Sequence, residues 1–335
     1  MILYLGNKGS ITPSTIDTLG TLLQKEHSLL SCCSEKNKIL RFIKMVRTLI
    51  KHKKETDLIL VDTYSTWNFY YAFMTAFVAQ RLQIPYVPIL HGGNLPARLQ
   101  KSPKLSNYIF NNSLRNITPS LYLQEYFTKA DYDTQYIPNN IILEEYPHQS
   151  RQNISPKLLY VRSFAEVYNT KMAINVVKNL LKKYPDTHLC MVGPDRDGSL
   201  PKTQAYAKEL GIEKHVTFTG GLSKTEWIKL SKTYDIFINT TNSDNLPVSI
   251  VEAMALGFPI VSTNAGGLPY LIENEVDGIL VEKNDDIAMS QAIERLLQTP
   301  KLCEKLSQNG RKKAQSYDWN TIKNKWDTLI EDSKK

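Results

Sequence analysis

Short apolar runs rich in β-branched residues alternate along this chain with amphipathic stretches of roughly 10 to 20 residues, the pattern of βαβ units and mainly parallel sheets. The strand candidates are 2–5, 58–61, 86–90 and 135–137 in the first half, then 157–161, 188–192, 216–218, 236–239, 259–262 and 279–281. At 335 residues the chain is long enough for about two domains. The stretch 138–156 is polar, carries prolines and shows no period, so it reads as the connection between them. The expectation is two doubly wound α/β domains facing a shared cleft, with ligands held by the loops outside the carboxyl ends of the strands.

Several classes drop out on composition. Hydrophobic residues make up 42% and charged residues 22%, without low-complexity tracts, so a folded chain is expected. Cys32, Cys33, Cys190 and Cys303 show no metal-ligand spacing and read as reduced thiols of a cytosolic protein. The first residues lack a basic region followed by an apolar core, so no signal peptide is expected. The longest apolar stretch, 67–79, is too short to span a bilayer. Neither a Gly-x-Gly-x-x-Gly turn nor a P-loop is present, which disfavours a dinucleotide-dependent dehydrogenase. A formal net charge of +8 favours an anionic partner.

The segment Thr241-Asn242-Ser243-Asp244-Asn245-Leu246-Pro247-Val248, running on to Gly257, directly follows a strand candidate. Asp244 and Asn245 are capping types, Pro247 suits a first helical turn and Gly257 a C-terminal stop. A helix beginning there offers free backbone N–H groups to an anion. Glu252 follows Asp244 by eight positions, among the apolar Ile250, Val251, Ala253 and Met254. Helix grammar alone allows equally a capping aspartate and a glutamate that reaches solvent.

With the stretch 259–269 and its Gly266-Gly267 turn, this segment resembles the C-terminal signature of glycosyltransferase family 4, retaining nucleotide-sugar-dependent enzymes of GT-B fold. The family pattern is Glu, seven residues, Glu, then Ala-Met-Ala-x-Gly and a Gly-Gly turn. Here Asp244 stands at the first acidic position, and Leu268-Pro269-Tyr270 occupies a place where the family often has an acid. The resemblance implies that Glu252 accepts hydrogen bonds from ribose hydroxyls and Asp244 holds sugar hydroxyls. The backbone of Asn245, Leu246, Pro247 and Val248 would approach the sugar or diphosphate.

The resemblance also implies that Arg162, at the end of the 157–161 run, neutralises the donor diphosphate as negative charge develops on it. The family places a lysine five or six positions on. Here Tyr168 stands at the sixth and the nearest lysine is Lys171, so either Lys171 substitutes or Tyr168 donates a hydrogen bond. Gly193 permits close backbone approach, and Thr217 and Phe218 fall in the strand whose backbone would contact the base. His91 would contact the transferred sugar, beside Gly92 and Gly93, while Gly9 and Ser10 read as a phosphate or acceptor loop. Asp195 and Asp197 read as turn residues, and neither a metal nor any cofactor beyond the nucleotide-diphosphate sugar co-substrate is expected. The implied domains are a Rossmann-like acceptor domain 1–145, a linker 146–156, a Rossmann-like nucleotide-sugar domain 157–316 and a helix 317–335 crossing back to the first domain.

Residues 36–54 hold eight Lys or Arg and no acid. Positions 39, 42, 43, 46, 49 and 50 form one helical face, expected to pack on the sheet. Lys38, Arg41, Lys44, Arg47 and Lys51 mark a basic side, expected to face an anionic membrane electrostatically, without deep insertion. Nucleic acid is not expected, since no binding module accompanies the charge.

The reading is a metal-independent, retaining hexosyltransferase acting on a saccharide or lipid-linked acceptor in cell-surface polysaccharide synthesis, such as lipopolysaccharide or capsule. It would be cytoplasmic and peripheral on the inner face of the membrane. The alternatives are a nucleotide-sugar epimerase of GT-B-like fold and a non-catalytic saccharide- or nucleotide-sugar-binding relative.

Overall fold

The structure, a computed structural model, describes residues 1–8, 14–35 and 37–334, and the chain divides into two units, 1–140 with 322–335 and 141–321. Unit 1 runs β1 (Ile2–Leu5), α1 (Thr15–Gln24), β2 (Leu29–Cys32), α2 (Lys38–Lys51), β3 (Leu58–Thr63), α3 (Trp67–Leu82), β4 (Tyr86–Leu90), α4 (Leu95–Lys101), α5 (Pro103–Phe110), β5 (Asn116–Thr118), α6 (Leu121–Lys129) and β6 (Thr134–Tyr136). Unit 2 runs β7 (Lys157–Val161), α7 (Thr170–Leu181), β8 (His188–Val192), α8 (Ser199–Glu209), β9 (Val216–Gly220), α9 (Lys224–Ser231), β10 (Ile236–Asn239), α10 (Val248–Ala255), β11 (Ile260–Thr263), α11 (Leu268–Leu271), β12 (Ile279–Val281), α12 (Asp286–Gln298) and α13 (Pro300–Ala314). A last helix, α14 (Trp319–Asp332), begins in unit 2. From Ile322 onward it packs in unit 1, where Lys323 pairs with Glu26 at 2.6 Å and Asp327 meets His27 at 2.9 Å.

Each unit is a six-stranded parallel sheet, ordered β2-β1-β3-β4-β5-β6 and β12-β11-β10-β7-β8-β9. Strands such as β1 and β4 are buried along their whole length and read as unbroken apolar runs. Strand order reverses between β1 and β3 in the first sheet and between β7 and β10 in the second. The crevice outside the carboxyl ends at such a reversal is where doubly wound sheets bind ligands.

Three local expectations are corrected. Residues 146–156 lie inside unit 2 and form no loose linker: Tyr146 is wholly buried, and the buried Arg151 donates to the Leu256 carbonyl at 2.7 Å with its guanidinium 3.6 Å from the Phe258 ring. Arg151 is there a buried guanidinium satisfied by carbonyls, whereas 147–150, 152 and 153 are exposed. Pro247 is the N-cap residue before α10 rather than part of its first turn, and its own side chain supplies no cap hydrogen bond. In α2 only Met45 and Leu49 are buried, so the seam against the sheet is narrower than the apolar arc, and Ile39, Phe42, Ile43 and Ile50 stay exposed. Cys32 and Cys33 are adjacent and buried, their Cα atoms 3.2 Å apart, and Cys190 and Cys303 are buried free thiols.

Candidate active site

At the reversal point of the second sheet, Arg162 directly follows β7 and β10 leads into the loop that carries Asp244. The Arg162 guanidinium pairs with Asp244, lies 4.5 Å from the Tyr168 ring centre and donates to the Tyr168 hydroxyl at 3.3 Å. Burial works to lower the Arg162 pKa, but Asp244, then Tyr168 and Tyr160, outweigh it, and the pKa is raised. The guanidinium is therefore a permanent cation. Nearby, the Tyr160 hydroxyl, Arg162 Nε and Asn242 Oδ1 are buried without a hydrogen-bond partner in the structure. Unsatisfied polar atoms of this kind are costly and uncommon.

Backbone packing holds this pair in place. A Cβ on Gly193 would fall on the Arg162 carbonyl, so only glycine lets the β8 end lie against the β7 end. Gly193 N–H donates to Gly220 at 2.8 Å, drawing in the end of β9. The Asp244 loop is tied to the Tyr168 turn by Asn242 N–H to the Val167 carbonyl (2.8 Å) and by Thr240 Oγ1 to the Tyr168 carbonyl (3.0 Å). From the other side, Gly267 N–H donates to the Asp244 carbonyl at 2.9 Å. A Cβ on Gly266 would strike that carbonyl, and one on Gly267 the Asn245 carbonyl. The Gly-Gly turn is thus a lock on the Asp244–Asn245 backbone. Gly267→Ala is expected to cost about 2 kcal/mol or more, since backbone must move, read as a lower melting temperature together with weaker nucleotide binding.

Glu252 projects from α10 and accepts a hydrogen bond from the Tyr146 hydroxyl. Burial raises the Glu252 pKa, against the pull of that hydrogen bond and of Lys224, whose ammonium sits 4.8 Å over the Tyr146 ring. Leu246 and Asn245 are buried, Pro247 precedes α10 and Val248 opens it, and the first-turn N–H groups of that helix suit an anion.

The structure separates the two candidates for the family's lysine position. Tyr168 lies against Arg162, whereas the Lys171 ammonium sits 5.3 Å from the Tyr206 ring. Lys171 lines a cavity of about 480 Å³ with Glu166, Asn169, Asp197, Lys202 and Asn242. Thr217 is not part of the Arg162 group: it lies on edge strand β9, short of its carboxyl end, and its hydroxyl meets His188 Nε2 at 2.9 Å. Phe218 packs inward on Phe164, ring centres 6.0 Å apart. Asp195 and Asp197 accept backbone N–H groups at the start of α8. Among the described residues no group of three or more His, Cys, Asp or Glu is placed to hold a metal ion.

In unit 1 the corresponding position is built on a buried pair. His91, just past β4, meets Asp62 Oδ1 at 2.9 Å, and the Tyr4 hydroxyl donates to the same oxygen at 2.8 Å. The Tyr64 ring stands 5.0 Å from the imidazole, and Gly92 turns the chain with φ of +88°. Asp62 was not legible as a site residue, nor was Tyr146. Gly93 follows in the same turn, and Gly9 and Ser10 lie outside the described residues.

The chain is 32% identical over 148 residues to the Putative glycosyltransferase EpsD of Bacillus subtilis (strain 168), taking in 44% of this chain and 37% of that protein. It is 30% identical over 158 residues to an Uncharacterized glycosyltransferase of Haemophilus influenzae, covering 47% and 44%. These matches span less than half of each relative. Over 99% of both chains the fold superposes on Alr3699/HepE of Anabaena in complex with UDP and glucose, with a TM-score of 0.79 at 19% identity, which shows the GT-B fold. The model of the family "Glycosyl transferases group 1" matches residues 144–313, half of the chain, and takes in Arg162, Asp244, Glu252 and the Gly-Gly turn. The chain therefore belongs to the group 1 glycosyltransferases.

Proposed function

We propose that this chain is a retaining, metal-independent glycosyltransferase of family 4 that moves a hexosyl group from a nucleotide-diphosphate sugar to a saccharide or lipid-linked saccharide acceptor in cell-surface polysaccharide synthesis. The observation that carries the reading is the Arg162–Asp244 pair at the reversal of the second sheet, locked between Gly193 and Gly266-Gly267. A donor diphosphate takes the guanidinium, and Asp244 is released to the sugar hydroxyls. Negative charge developing on the leaving phosphate then meets a fixed cation and the start of α10, so electrostatics and positioning carry the rate. Glu252 holds the ribose. His91, fixed by Asp62, and the Gly92-Gly93 turn are the sugar- and acceptor-side groups of unit 1. An anionic membrane surface, where lipid-linked acceptors reside, belongs to the same reading.

The test is thermal stabilisation of the purified chain against nucleotides and nucleotide sugars. The Anabaena HepE structure contains UDP and glucose, which makes UDP-hexoses the first donors to try. Selective stabilisation by one nucleotide diphosphate is expected, about 2–3 kcal/mol at a hundredfold excess over Kd. It should vanish in Arg162→Ala and Glu252→Ala. A flat panel with folded protein would overturn the donor site. Acceptor-free conversion of the donor sugar would turn the reading to an epimerase.

A further inference from the structure

We propose that α2 and the first turn of α3 form a surface that inserts apolar side chains into an anionic lipid bilayer. This deepens the membrane part of the proposed function and does not rest on the transfer chemistry.

The helix α2 leaves an uncommon amount of large apolar surface in water: Ile39 is 67% exposed, Leu40 58%, Ile50 50%, Ile43 44% and Phe42 36%. Ile39, Ile43 and Ile50 recur at spacings of four and seven, one stripe along the helix. Its inner side is already satisfied by Met45 and Leu49. Beside the amino end of α2, the first turn of α3 presents Trp67, 53% exposed, and Tyr70, 43% exposed. The two helices are held together there: the Tyr71 hydroxyl donates to the Lys38 carbonyl at 2.9 Å, Phe42 and Tyr71 ring centres are 6.2 Å apart, and the Lys38 ammonium lies 5.5 Å from the Trp67 ring. The aliphatic stripe and the aromatic pair thus form one patch, and Trp and Tyr are the side chains that settle at a bilayer interface.

The charge around the patch selects the occupant. From 37 to 54 there is no acid, and among the described residues no ion pair engages Arg47, Lys51, Lys53 or Lys54. Glu35, at the edge of the patch, is taken by Lys44, and its carbonyl by Arg41. A second copy of this face would set cation against cation. A nucleic acid would use the cations and leave the isoleucines in water. A bilayer with anionic headgroups uses both, cations at the phosphates and Ile39, Ile43 and Trp67 below them.

The experiment is flotation of the full chain with vesicles of phosphatidylcholine alone or with one third phosphatidylglycerol. Partitioning to the anionic vesicles is expected to be tenfold or more higher, and to persist in part at high salt. The variant Ile39→Ser with Ile43→Ser, both exposed positions, should keep its melting temperature, bind about tenfold less and be released fully by salt. Tryptophan emission should shift to the blue on anionic vesicles and be quenched by brominated lipid, and Trp67→Phe should remove that signal. Equal binding by wild type and the isoleucine variant would overturn insertion. So would no binding to anionic vesicles, a dimer that Ile39→Asp dissolves, or tighter binding to an oligonucleotide than to vesicles.

Discussion

Arg162→Ala is expected to lower the transfer rate at saturating donor by about a hundred- to a thousandfold, the usual loss when one preorganised charge at a leaving group is removed. The same change should cost stability, for a separate reason. Only 9% of the Asp244 side chain is exposed, and Arg162 is its ion partner, so the variant leaves a buried carboxylate uncompensated. That costs about 3 kcal/mol, or roughly 6–10 °C in a unit of this size. The two losses separate in the double variant Arg162→Ala with Asp244→Asn: its melting temperature should recover most of the way, and its rate should not. Arg162→Lys keeps the charge but not the planar fork that meets Asp244 and the Tyr168 hydroxyl together, so an intermediate rate is expected. If the single and double variants melt alike, the pair is not holding the loop. If transfer survives Arg162→Ala, the leaving charge is stabilised elsewhere.

The sequence shows both ends of that pair without showing that they meet. Arg162 and Asp244 are 82 positions apart, and only the parallel neighbours β7 and β10 bring them together. Central strands were legible because burial on both faces forces unbroken apolar runs. The two missed strands lack that signature: β2 is half-buried at the sheet edge, and β5 is three residues beginning with Asn116, whose side chain spans the Phe110 and Asp133 carbonyls. Tyr146 was hidden because its partner Glu252 lies 106 positions away, and because its surroundings read as a polar connector. Asp62 was hidden inside the apolar run of β3, where one carboxylate among Leu, Ile and Val looks like a strand end. The apolar arc of α2 was visible from its period, but period cannot say how much of an arc its neighbours cover. Only packing shows that the sheet takes Met45 and Leu49 and leaves the isoleucines outside.

Glu252→Gln is expected to raise the melting temperature near pH 7.5 while weakening nucleotide binding. Burial lifts the Glu252 pKa above the ordinary carboxyl value near 4.5, and the opposing pull of the Tyr146 hydroxyl and Lys224 does not cancel it. Between the ordinary and the raised value the folded chain binds more protons than the unfolded chain. Stability therefore falls as pH rises through that window and stays lower above it. Glutamine removes the charge, so the variant should melt about 2–4 °C higher at pH 7.5, an advantage that shrinks as pH is lowered toward 4. A side chain that costs stability at working pH is held for another reason, and the reason proposed is the ribose. Losing a charged acceptor should weaken nucleotide affinity about ten- to a hundredfold. Tyr146→Phe acts in the opposite sense on the carboxylate: it removes a hydrogen bond to the charged form, raises the pKa further, and should move the acid loss of nucleotide binding to higher pH. Destabilisation by Glu252→Gln at every pH would make the carboxylate a structural partner of Tyr146 and leave the ribose without its proposed acceptor.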